Sequence, residues 1–578
     1  MIHNLFCKKD TKLIEILALF DGAHSNQLPS NLALVVDDNS KLIGTITGGD
    51  VRRSLLKDKD LNSVAEDIME LNPIIFSEEL TTQEILEMLP EELAKRDRRS
   101  NKYLSKIIFV DSNNTPTRVM EYHQLWELKV ASHRHIVVIG LGYVGLTMAV
   151  IMSDAGFLVT GVEIDESKVE MLQRGESYIH EVGLDELIKK QIDKNLKVSS
   201  SIPDDGDVFI ISVGTPIQTL DNGDKLPIMQ YLEDTCSKVG EKLKRGNLVI
   251  LRSTVPIGTS RNFVKKRLED ISGLQCGVDF QLAFAPERTA EGQALKELRS
   301  LPQIIGGYDR DSVDSTAAIF RDITPVIVKV DSLEAAEMIK LINNSFRDYV
   351  FAYANQMSII ASKFNINVVD VINAANESYP RDPVPLPSPG VGGPCLTKDP
   401  HIFASVTDEF DIDNQIFKRS RKINESMHDI VVENVFKELE RIGKDVKTSK
   451  IVVCGLAFKG NPETGDIRNS TSIEIAQLIN ETVPTVYGYD AVALKNEIIE
   501  YGITPVELED AFKDTDAILF LNNHKSFERI NVFKMIREMN TNPLIYDGWN
   551  LFRQEDVLAT KECTYMGLSF VESTIEDI

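Results

Sequence analysis

The sequence predicts an α/β chain with two doubly wound parallel sheets, joined by a long helical connector and preceded by a small α+β module. Three observations predict this fold class. Apolar runs of buried-strand type alternate with helical segments from residue 135 to residue 307, and again after residue 450. Residues 333–363 carry apolar side chains at helical spacing without Gly or Pro. A strand–turn–strand–helix pattern occurs twice before residue 131.

The composition is that of a globular protein of several domains, with 578 residues, 43% hydrophobic content and a net charge of −25. The acidic balance argues against nucleic acid and against anionic membranes as partners. A local pocket of Lys and Arg still admits an anionic ligand. No apolar run approaches the roughly 20 residues that cross a bilayer. The N-terminus also lacks the apolar core of a signal peptide.

The cysteines show neither the spacing of a zinc site nor the density of a disulfide scaffold. This usage predicts no metal site and a reducing, cytoplasmic compartment. The six cysteines stand at positions 7, 236, 276, 395, 454 and 563.

The predicted first domain, residues 1–130, contains two similar units, LALVVDDNSKLIGTITGGDVRRSLL and KIIFVDSNNTPTRVMEYHQLWEL. The G-x-I-T-x-x-D signature from Gly44 to Asp50 resembles that of tandem CBS domains, which sense adenosine nucleotides. The resemblance implies an adenosine nucleotide held by Thr47 and Asp50. The second of these two repeats lacks the signature, because Thr117 is followed by Arg118, Val119 and Met120. The alternative, a purely structural dimerisation module, stays open.

The predicted second domain, residues 131–330, opens with the strand HIVVI, the turn GLGYVG and an apolar helix. This context predicts a Rossmann-like dinucleotide site, with pyrophosphate at the helix N-terminus. Glu163 ends the next strand, accepts from the ribose hydroxyls and repels a 2′-phosphate, which favours NAD over NADP. Lys168 either softens that preference or is a solvated helix-face lysine. The predicted contacts in the turn are Gly140, Gly142, Tyr143, Val144 and Gly145.

Other candidates mean little singly. Thr254 reads as a strand-end hydroxyl, and Glu287 with Glu291 as a solvated pair. Lys340 and Asn344 lie four apart on one helix face, which is either an ordinary polar face or, since apolar residues surround the pair, a buried functional one. A buried lysine is costly unless it has a partner or a function.

The segment GVGGPCLTKDP places Cys395 behind two glycines and before Lys398 and Asp399. Glycine lets the backbone approach a ligand closely, and a thiol beside a cation becomes a nucleophile. The alternative is a tight turn that carries a buried cysteine.

From His135 to about residue 560 the chain resembles the UDP-glucose/GDP-mannose dehydrogenase family. These enzymes are NAD-dependent nucleotide-sugar 6-dehydrogenases. The resemblance implies that residues 331–445 form a helical dimerisation domain with the catalytic Cys loop and that residues 446–578 bind the UDP-sugar. The matching segments, in the family's order, are GLGYVG, VGTP, STVPIGT, APERTAEG, AAEMIKLINNSFRDYVFAYAN, GVGGPCLTKDP and GLAFKGNPETGDIRNS.

The resemblance implies that the C6 alcohol of a nucleotide sugar is oxidised to a carboxylate in two hydride transfers. Cys395 adds to the aldehyde as a thiohemiacetal, the second oxidation leaves a thioester, and water hydrolyses it. Lys340 and Asn344 bind the oxyanion, Asp399 and Thr254 position water, and Lys340 or that water takes the alcohol proton. The implied catalytic set is Cys395, Lys340, Asn344, Asp399, Thr254, Glu287 and Glu291.

The resemblance also implies binding roles. Glu287 assists thioester hydrolysis, Gly392 and Gly393 leave room for the sugar diphosphate, and Arg381 reaches across a dimer interface. Thr215, Thr254 and Arg468 join the cofactor contacts. The implied substrate contacts are Glu291, Lys340, Asn344, Arg347, Arg381, Gly392 and Lys459.

The substrate is the open point. Arg347 in NNSFRDYVFAYAN, together with PSPGVGGPC, favours a UDP-N-acetylhexosamine, whereas Lys398 in CLTKDP resembles the UDP-glucose and GDP-mannose branches. Trp549 in DGWN stands where the family usually has Arg, and NNHKSF replaces a Thr-bearing segment. The family implies an acidic product for surface polysaccharide.

Two rival functions remain. One is a degenerate nucleotide-binding scaffold whose CBS pair does the work, and the other is a two-electron dehydrogenase that needs no cysteine. The long helix and the CBS-like pair predict a homodimer or a higher homo-oligomer.

Overall fold

The computed structural model describes residues 2–25, 31–57, 59–78, 80, 85, 88–89, 92–93, 106–121, 134–221, 223, 225–408 and 410–575. The chain divides into two compact units, one of residues 1–134 with 314–319 and the other of residues 135–313 with 320–578. In these described ranges, no helix is both long and apolar enough to cross a membrane.

The first unit contains a repeated three-stranded sheet. In each copy the first two strands are parallel, and the last two form an antiparallel hairpin with a register shift at the same place. The strand–turn–strand part of the predicted repeat is therefore confirmed, and the helix predicted after the hairpin of the second copy lies outside the described residues. The elements are β1 (Phe6–Cys7), α1 (Leu13–Ser25), β2 (Leu32–Val36), β3 (Leu42–Thr47), α2 (Gly48–Leu55), β4 (Ile75–Ser77), β5 (Lys106–Val110) and β6 (Pro116–Glu121).

The two hairpin turns of this unit have the same chemistry. Asp37 accepts from the backbone amides of Asn39 and Lys41 at 2.9 and 2.8 Å. Asp111 accepts from the amides two and four residues after it at the same two distances. A side-chain carboxylate that bonds its own turn makes the turn independent of distant contacts. The copies are joined where the Leu42 amide donates to the Asn114 carbonyl at 2.9 Å.

The second unit begins with an eight-stranded sheet in the order β16-β15-β14-β13-β10-β7-β8-β9, in which only the β14–β15 pair is antiparallel. Its first six strands in chain order follow the 3-2-1-4-5-6 arrangement of a dinucleotide-binding sheet. The strands are β7 (His135–Ile139), β8 (Leu158–Val162), β9 (Leu196–Ser199), β10 (Val208–Ile211), the separate hairpin of β11 (Ile217–Thr219) and β12 (Lys225–Pro227), β13 (Leu248–Leu251), β14 (Gln281–Phe284), β15 (Gln303–Gly307) and β16 (Ile327–Lys329).

Helices connect these strands, as the alternation in the sequence predicts. They are α3 (Tyr143–Asp154), α4 (Glu166–Gln173), α5 (Leu184–Gln191), α6 (Gln230–Lys242), α7 (Lys265–Ser272), α8 (Ala294–Leu298) and α9 (Arg310–Arg321).

The connector is built on one 30-residue helix, α10 (Leu333–Ser362). It begins at Ser332, whose hydroxyl accepts from the Ala335 amide at 3.1 Å. It packs on α12 and α13, and α12 begins four residues after Cys395. The other connector helices are α11 (Val368–Asn376), α12 (Asp399–Asp408) and α13 (Gln415–Arg441).

The last sheet has seven strands in the order β19-β18-β17-β20-β21-β22-β23, parallel except for the β22–β23 pair. In β17, alternate residues enter two separate apolar cores, so both faces of the sheet are covered. The elements are β17 (Ile451–Cys454), α14 (Thr471–Asn480), β18 (Val486–Tyr489), α15 (Lys495–Glu500), β19 (Thr504–Pro505), β20 (Ala517–Phe520), α16 (Val532–Met535), β21 (Leu544–Asp547), α17 (Gln554–Leu558), β22 (Thr564–Met566) and β23 (Val571–Ser573). The predicted fold class is confirmed.

Candidate active site

The glycine-rich turn leads from β7 into α3. Gly140 has φ +85°, and a Cβ there lies 3.0 Å from the Val213 Cα. A Cβ on Gly145 collides with the Gly140 carbonyl oxygen, whereas a Cβ on Gly142 meets nothing within 4 Å. The outer glycines therefore serve backbone packing, and Gly142 leaves open space at the helix N-terminus. That space fits the pyrophosphate of NAD.

Glu163 directly follows β8 and faces this turn. Its carboxylate accepts from the Leu141 amide at 3.1 Å and from the two backbone amides that follow it at 2.9 and 3.2 Å. These bonds orient the side chain and leave acceptor positions for ribose hydroxyls. Lys168 lies 3.7 Å from the Asp165 carboxylate and 5.3 Å from the Tyr178 ring centre. These contacts fit the helix-face alternative.

Tyr143 joins the glycine-rich turn to the APERTAEG segment. Its hydroxyl donates to the Glu181 carboxylate and accepts from the Gly292 amide at 2.8 Å. Burial, followed by the Glu181 hydrogen bond, raises the pKa of Tyr143. Val144 is half-buried in the first turn of α3.

Cys395 is the exposed member of the six cysteines, and the other five are buried. The alternative of a buried turn cysteine is therefore wrong. The Asp399 amide donates to the Cys395 carbonyl at 2.9 Å. The buried Asp399 carboxylate accepts from the Asn344 amide group at 2.5 Å and lies 3.1 Å from the Lys398 ammonium. Three of the predicted catalytic side chains thus meet around one turn.

The thiol of Cys395 lies among opposing charges. Desolvation by the surrounding protein raises its pKa, and the Asp399 carboxylate raises it further. The Lys340 and Lys398 ammonium groups lower it, but the net shift is upward. The expected activation by a neighbouring cation is thus outweighed, because the protein groups around the sulfur and the Asp399 charge disfavour the thiolate. The resting thiol keeps its proton and needs a base during the reaction.

Lys340 donates from its ammonium group to the backbone carbonyl of Glu287. The Glu287 carboxylate is buried, pairs with Arg252 and accepts from the Arg288 and Thr289 amides at 2.7 and 2.8 Å. Burial raises the pKa of Glu287, but Arg252 and the other donors outweigh burial and hold it below its usual range. In contrast to the expectation of a catalytic carboxylate, Glu287 meets Lys340 through its carbonyl oxygen.

Glu291 is a carboxyl of the site whose pKa is raised to near neutral pH, and the buried Glu337 is another carboxyl with such a pKa. Its carboxylate accepts from the Thr464 hydroxyl at 3.4 Å, and its carbonyl accepts from the Lys459 ammonium at 2.8 Å. Burial, and then the Asp466 carboxylate, raises the pKa of Glu291 to about 7, against the lowering effect of Lys459 and Arg468. A carboxyl with this pKa is suited to proton transfer.

Arg468 lies at the junction with the last domain. Its guanidinium donates to both oxygens of Asp466, at 2.9 and 2.5 Å. This bond raises the pKa of Arg468, and the charges of Glu291 and Cys395 add to the effect. Arg468 and Glu291 therefore face the same space as the thiol.

Thr215 and Thr254 meet at the carboxyl end of the NAD-domain sheet. The Thr215 hydroxyl donates to the Thr254 carbonyl at 2.5 Å and accepts from the Lys398 ammonium at 3.3 Å. Lys398 therefore spans the distance between this sheet end and Asp399. It connects the predicted cofactor side with the Cys395 turn.

The structure gives Gly392 and Gly393 a role that differs from the expected one. A Cβ on Gly392 collides with the backbone of Asn469 and Thr471, and the Gly393 amide donates to the Asn469 carbonyl at 2.8 Å. Gly393 also has φ +91°. These glycines seat the Cys395 turn against the last domain, so the expected room for a diphosphate is not what they provide.

Arg347 and Arg381 are exposed. Arg347 lies 5.9 Å from the Phe351 ring centre, and its charge adds to burial, the larger cause, in lowering the pKa of Lys459. Arg381 donates to the Tyr379 hydroxyl at 3.1 Å on an exposed loop. Its reach into a partner's site stays a prediction.

A buried polar network behind the Cys395 turn was not predicted. Arg421 donates to the Asp348 carboxylate at 2.7 Å and to the Val391 carbonyl at 3.2 Å. The Asn355 side chain accepts from the Ser388 amide at 2.9 Å. The sequence signal for this network was the presence of polar residues, such as Asp348 and Asn355, within the long apolar helix.

Trp549, the departure from the family's arginine, closes the turn after β21. Its indole N–H donates to the Leu521 carbonyl at 2.8 Å, and its amide donates to the Asp547 carboxylate at 3.1 Å. A Cβ on the neighbouring Gly548 collides with the Pro389 ring of the Cys395 loop. The turn therefore packs on that loop without offering a cation.

In the first unit, Thr47 and Asp50 form a capping box at the start of α2. The Thr47 amide and hydroxyl donate to the Asp50 carboxylate at 2.8 and 2.7 Å, and the Asp50 amide donates back at 3.3 Å. These bonds cap α2, and both nucleotide binding and the structural dimerisation module stay predictions. No metal-binding group of His, Cys, Asp and Glu occurs among the residues described in either unit.

Three family models match consecutive parts of the second unit. They are described as the UDP-glucose/GDP-mannose dehydrogenase family's NAD binding domain (residues 134–324), central domain (334–426) and UDP binding domain (452–554). A CBS domain model matches residues 1–57.

Curated relatives and solved structures agree with these matches. UDP-N-acetyl-D-mannosamine dehydrogenase of Pyrococcus horikoshii is 33% identical over 425 residues, which is 73% of this chain and 97% of that protein. The same-named protein of Campylobacter jejuni is 33% identical over 69% of this chain and 98% of its own length. The Pyrococcus horikoshii structure covers 75% of this chain and 99% of its own at 32% identity, with a TM-score of 0.68. A UDP-glucose dehydrogenase from Pyrobaculum islandicum covers 76% and 98% at 25% identity, with a TM-score of 0.66.

Proposed function

This chain belongs to the UDP-glucose/GDP-mannose dehydrogenase family, and from that premise we propose that it oxidises the C6 alcohol of a UDP-N-acetylhexosamine to the carboxylate. NAD is the cofactor, and the reaction removes four electrons through a covalent Cys395 intermediate. The observation that carries the proposal is the exposed Cys395 thiol beside the linked Asp399, Asn344 and Lys398 side chains.

NAD is held at the open space beside Gly142, with Glu163 on its ribose hydroxyls. When bound, NAD accepts a hydride in each of the two oxidations. Thr215 and Thr254 stand at the end of the same sheet and support the cofactor. Arg468 contributes positive charge at the domain junction.

In the first oxidation the C6 hydroxyl loses its proton to Lys340 in its neutral amine form or to a water that Asp399 and Thr254 position. The product is an aldehyde. The Cys395 sulfur then bonds to the C6 carbon while its proton passes to the water that Asp399 and Thr254 position, and the carbonyl oxygen becomes an oxyanion. Lys340 and Asn344 donate to that oxygen, a kind of stabilisation worth roughly 3–4 kcal/mol per donor. Protonation of the oxyanion gives the thiohemiacetal.

The second oxidation leaves a thioester between C6 and the Cys395 sulfur. Water attacks the C6 carbon, the C–S bond breaks, and the sulfur leaves and recovers a proton. Glu291 takes a proton from this water, since its pKa of about 7 allows both protonation states near neutral pH. Glu287 assists by fixing Lys340 through its carbonyl oxygen.

The UDP-N-acetylhexosamine preference is supported by relatives named as UDP-N-acetyl-D-mannosamine dehydrogenases. UDP-glucose is the alternative, supported by Lys398 beside Asp399. Lys459, Arg347 and the partner subunit's copy of the Arg381 loop meet the sugar diphosphate, because basic side chains suit phosphate in so acidic a chain. The acidic product serves a surface polysaccharide.

The test is the number of NADH formed per sugar consumed by the purified chain. The panel is UDP-ManNAc, UDP-GlcNAc, UDP-GalNAc, UDP-glucose and GDP-mannose. Two NADH on an N-acetylhexosamine support the proposal, and two NADH on UDP-glucose alone move the substrate to the alternative. One NADH indicates a two-electron dehydrogenase. No NADH on any sugar leaves the scaffold alternative.

We also propose that the first unit binds an adenosine nucleotide through Thr47 and Asp50, which the CBS domain match over residues 1–57 supports. Calorimetric titration of the full chain with AMP, ADP and ATP tests this, with NAD saturating so that the dinucleotide site is blocked. Heat that disappears in Asp50→Ala is the expected result. Absence of heat with all three nucleotides contradicts the proposal.

The domain limits at residues 130, 330 and 445 are part of the proposal. Each predicted limit falls between the residue ranges of neighbouring family matches.

A further inference from the structure

A cavity of about 270 Å³ lies between the β11–β12 hairpin, α12 and α13. Its lining includes Lys225 from the hairpin, His401 from α12, and Lys418, Arg421 and Lys422 from α13. None of the residues to which a cofactor, sugar or catalytic role was given above lines it. The cavity is therefore a separate feature that the oxidation of a sugar does not explain.

The cavity is lined by more cationic than anionic side chains. The described lining residues include four cationic side chains, those named above from the hairpin and α13, and two carboxylates, Asp408 and Glu425. Lys225 lies 3.1 Å and Arg421 lies 3.4 Å from Glu425, and Lys418 lies 4.0 Å from Asp408. The described lining residues have a net charge of +2, and the buried Asp348 carboxylate, which pairs with Arg421 at 2.7 Å, reduces this to +1 in a chain of net charge −25. A bound anion is the ordinary explanation.

His401 of α12 also lines the cavity. Its Nε2 atom is buried and meets no hydrogen-bond partner in the described part of the chain. Burial, followed by the charges of Lys225, Arg421 and Lys418, lowers the pKa of His401 to about 4, with Glu425 opposing them. The ring is therefore neutral at pH 7 and carries one N–H, so His401 brings a hydrogen-bond donor to the cavity lining without adding charge.

Size restricts the ligand class. Sites for drug-sized molecules usually measure about 300–1,000 Å³, so a cavity of about 270 Å³ suits a smaller group than a dinucleotide or a UDP-sugar. We propose that this cavity binds a phosphate-class dianion, either inorganic phosphate or a phosphomonoester. The proposal does not depend on the sugar oxidised at Cys395.

Arg421 connects this site to the Cys395 turn. One nitrogen of its guanidinium donates to Asp348 and to the Val391 carbonyl, and the other faces Glu425 and the cavity. A dianion that accepts from the Arg421 nitrogen facing the cavity does not disturb the bond from the other nitrogen to the Val391 carbonyl. The same dianion contacts Lys225 and so joins α13 to the β11–β12 hairpin. Binding therefore stabilises the chain and restrains the turn that carries the thiol.

The experiment is thermal unfolding of the full chain with inorganic phosphate, with glycerol 1-phosphate, and with KCl at matched ionic strength. We expect the midpoint to rise with the phosphates and not with KCl, and the larger rise identifies which source fits. The rise is lost in Lys422→Gln and in His401→Asn. Lys437→Gln removes the same charge from an exposed position of α13 and keeps the rise.

Two results overturn the proposal. Equal shifts with phosphate and KCl mean an ionic-strength effect, and a phosphate shift that survives both cavity variants means binding elsewhere. Lys459→Gln distinguishes the cavity from the predicted sugar-diphosphate site. The phosphate-induced rise in the unfolding midpoint persists in this variant if the cavity is responsible. The rate of Cys395 alkylation by iodoacetamide, expected to fall with phosphate, tests the connection through Arg421. An unchanged rate removes that connection.

Discussion

Cys395 is exposed, but the protein around it raises the pKa of its thiol. A raised pKa keeps the sulfur protonated at rest and protects it from oxidation, since the thiolate is the reactive form. The thiol becomes a nucleophile only when a base and the aldehyde are both present. Reactivity is thereby tied to the first oxidation.

Cys395→Ser is expected to stop the reaction after the first oxidation, because an alkoxide adds less readily and a serine ester leaves less readily than a thioester. The yield falls from two NADH per sugar towards one, and complete oxidation slows by roughly a thousandfold or more. Stopped-flow NADH absorbance with an aldehyde trap measures this. The buried Cys236→Ala in α6 is the control and keeps two NADH. Full turnover in Cys395→Ser contradicts the covalent step.

Glu291 sets the expected pH dependence. Its pKa is raised to about 7, first by burial, so its carboxylate is the minority form below pH 7 and the majority form above it. As a base it works only when deprotonated, so kcat rises with pH through about 7 and falls below it. Glu291→Gln removes this limb and lowers kcat roughly 10²–10⁴-fold. A kcat profile from pH 5.5 to 8.5 checks it, with the exposed Glu186→Gln as control. A limb that survives in Glu291→Gln assigns the base elsewhere.

At the scale of elements, α10 holds the site together. Successive polar residues on one face of this helix each fix a different segment of chain. Glu337 holds the turn at Gly258–Ser260, Lys340 holds the carbonyl of Glu287, and two later residues hold Asp399 and Arg421. The four residues, spaced by about one helical turn each, are Glu337, Lys340, Asn344 and Asp348. One helix therefore aligns the NAD domain with the Cys395 turn.

Glu337→Gln tests this alignment. The Glu337 carboxylate accepts from the Gly258 and Ser260 amides at 2.6 and 2.7 Å while almost fully buried. A glutamine amide satisfies one donor and turns N–H against the other, which costs about 1–3 kcal/mol of unfolding free energy. Urea unfolding measures it. Glu334→Gln breaks a partly exposed pair with Arg261 and costs about 0–1 kcal/mol. Equal losses in the two variants contradict the alignment role.

Periodicity predicted α10 almost to its ends, because apolar spacing is a local property. It also placed Lys340 and Asn344 on one face. It did not reveal Arg421, which stands alone in the sequence and acquires its role only when α13 packs on α10. The reason for Gly392 was also out of reach, because the backbone that it approaches belongs to Asn469 and Thr471 in another domain. Sequence motifs reveal chemistry whose residues lie close together in the sequence, whereas residues that pack together in the fold can lie far apart in the sequence.

For the whole molecule, the exposed side of α10 predicts self-association. Large apolar side chains recur along it at helical spacing, with Phe346 64% exposed. A continuous exposed apolar stripe of this kind marks a protein interface. A second copy of the chain is the proposed occupant, because the exposed Arg381 loop then has a site to enter. The stripe consists of Met338, Ile342, Phe346, Tyr349, Tyr353 and Ile360.

Mixing two inactive variants tests this assembly. Arg381→Ala and Cys395→Ser are each expected to have little activity alone. If Arg381 serves the partner's site, a heterodimer has one intact site, so unfolding and refolding an equal mixture restores about a quarter of wild-type activity. No recovery, with dimers verified by sedimentation, places Arg381 in its own subunit's site, whereas full activity of Arg381→Ala alone places it outside the site. Phe346→Glu is expected to give monomers.

The polar face of α10 also limits how the gene can change. Each residue advances an α-helix by about 100°, so a single inserted or deleted codon between Glu337 and Asp348 turns every later contact away from its partner. Substitutions there cost one contact each, whereas a change of length costs all the contacts beyond it. The spacing of these residues should therefore stay fixed among homologues even where their neighbours diverge.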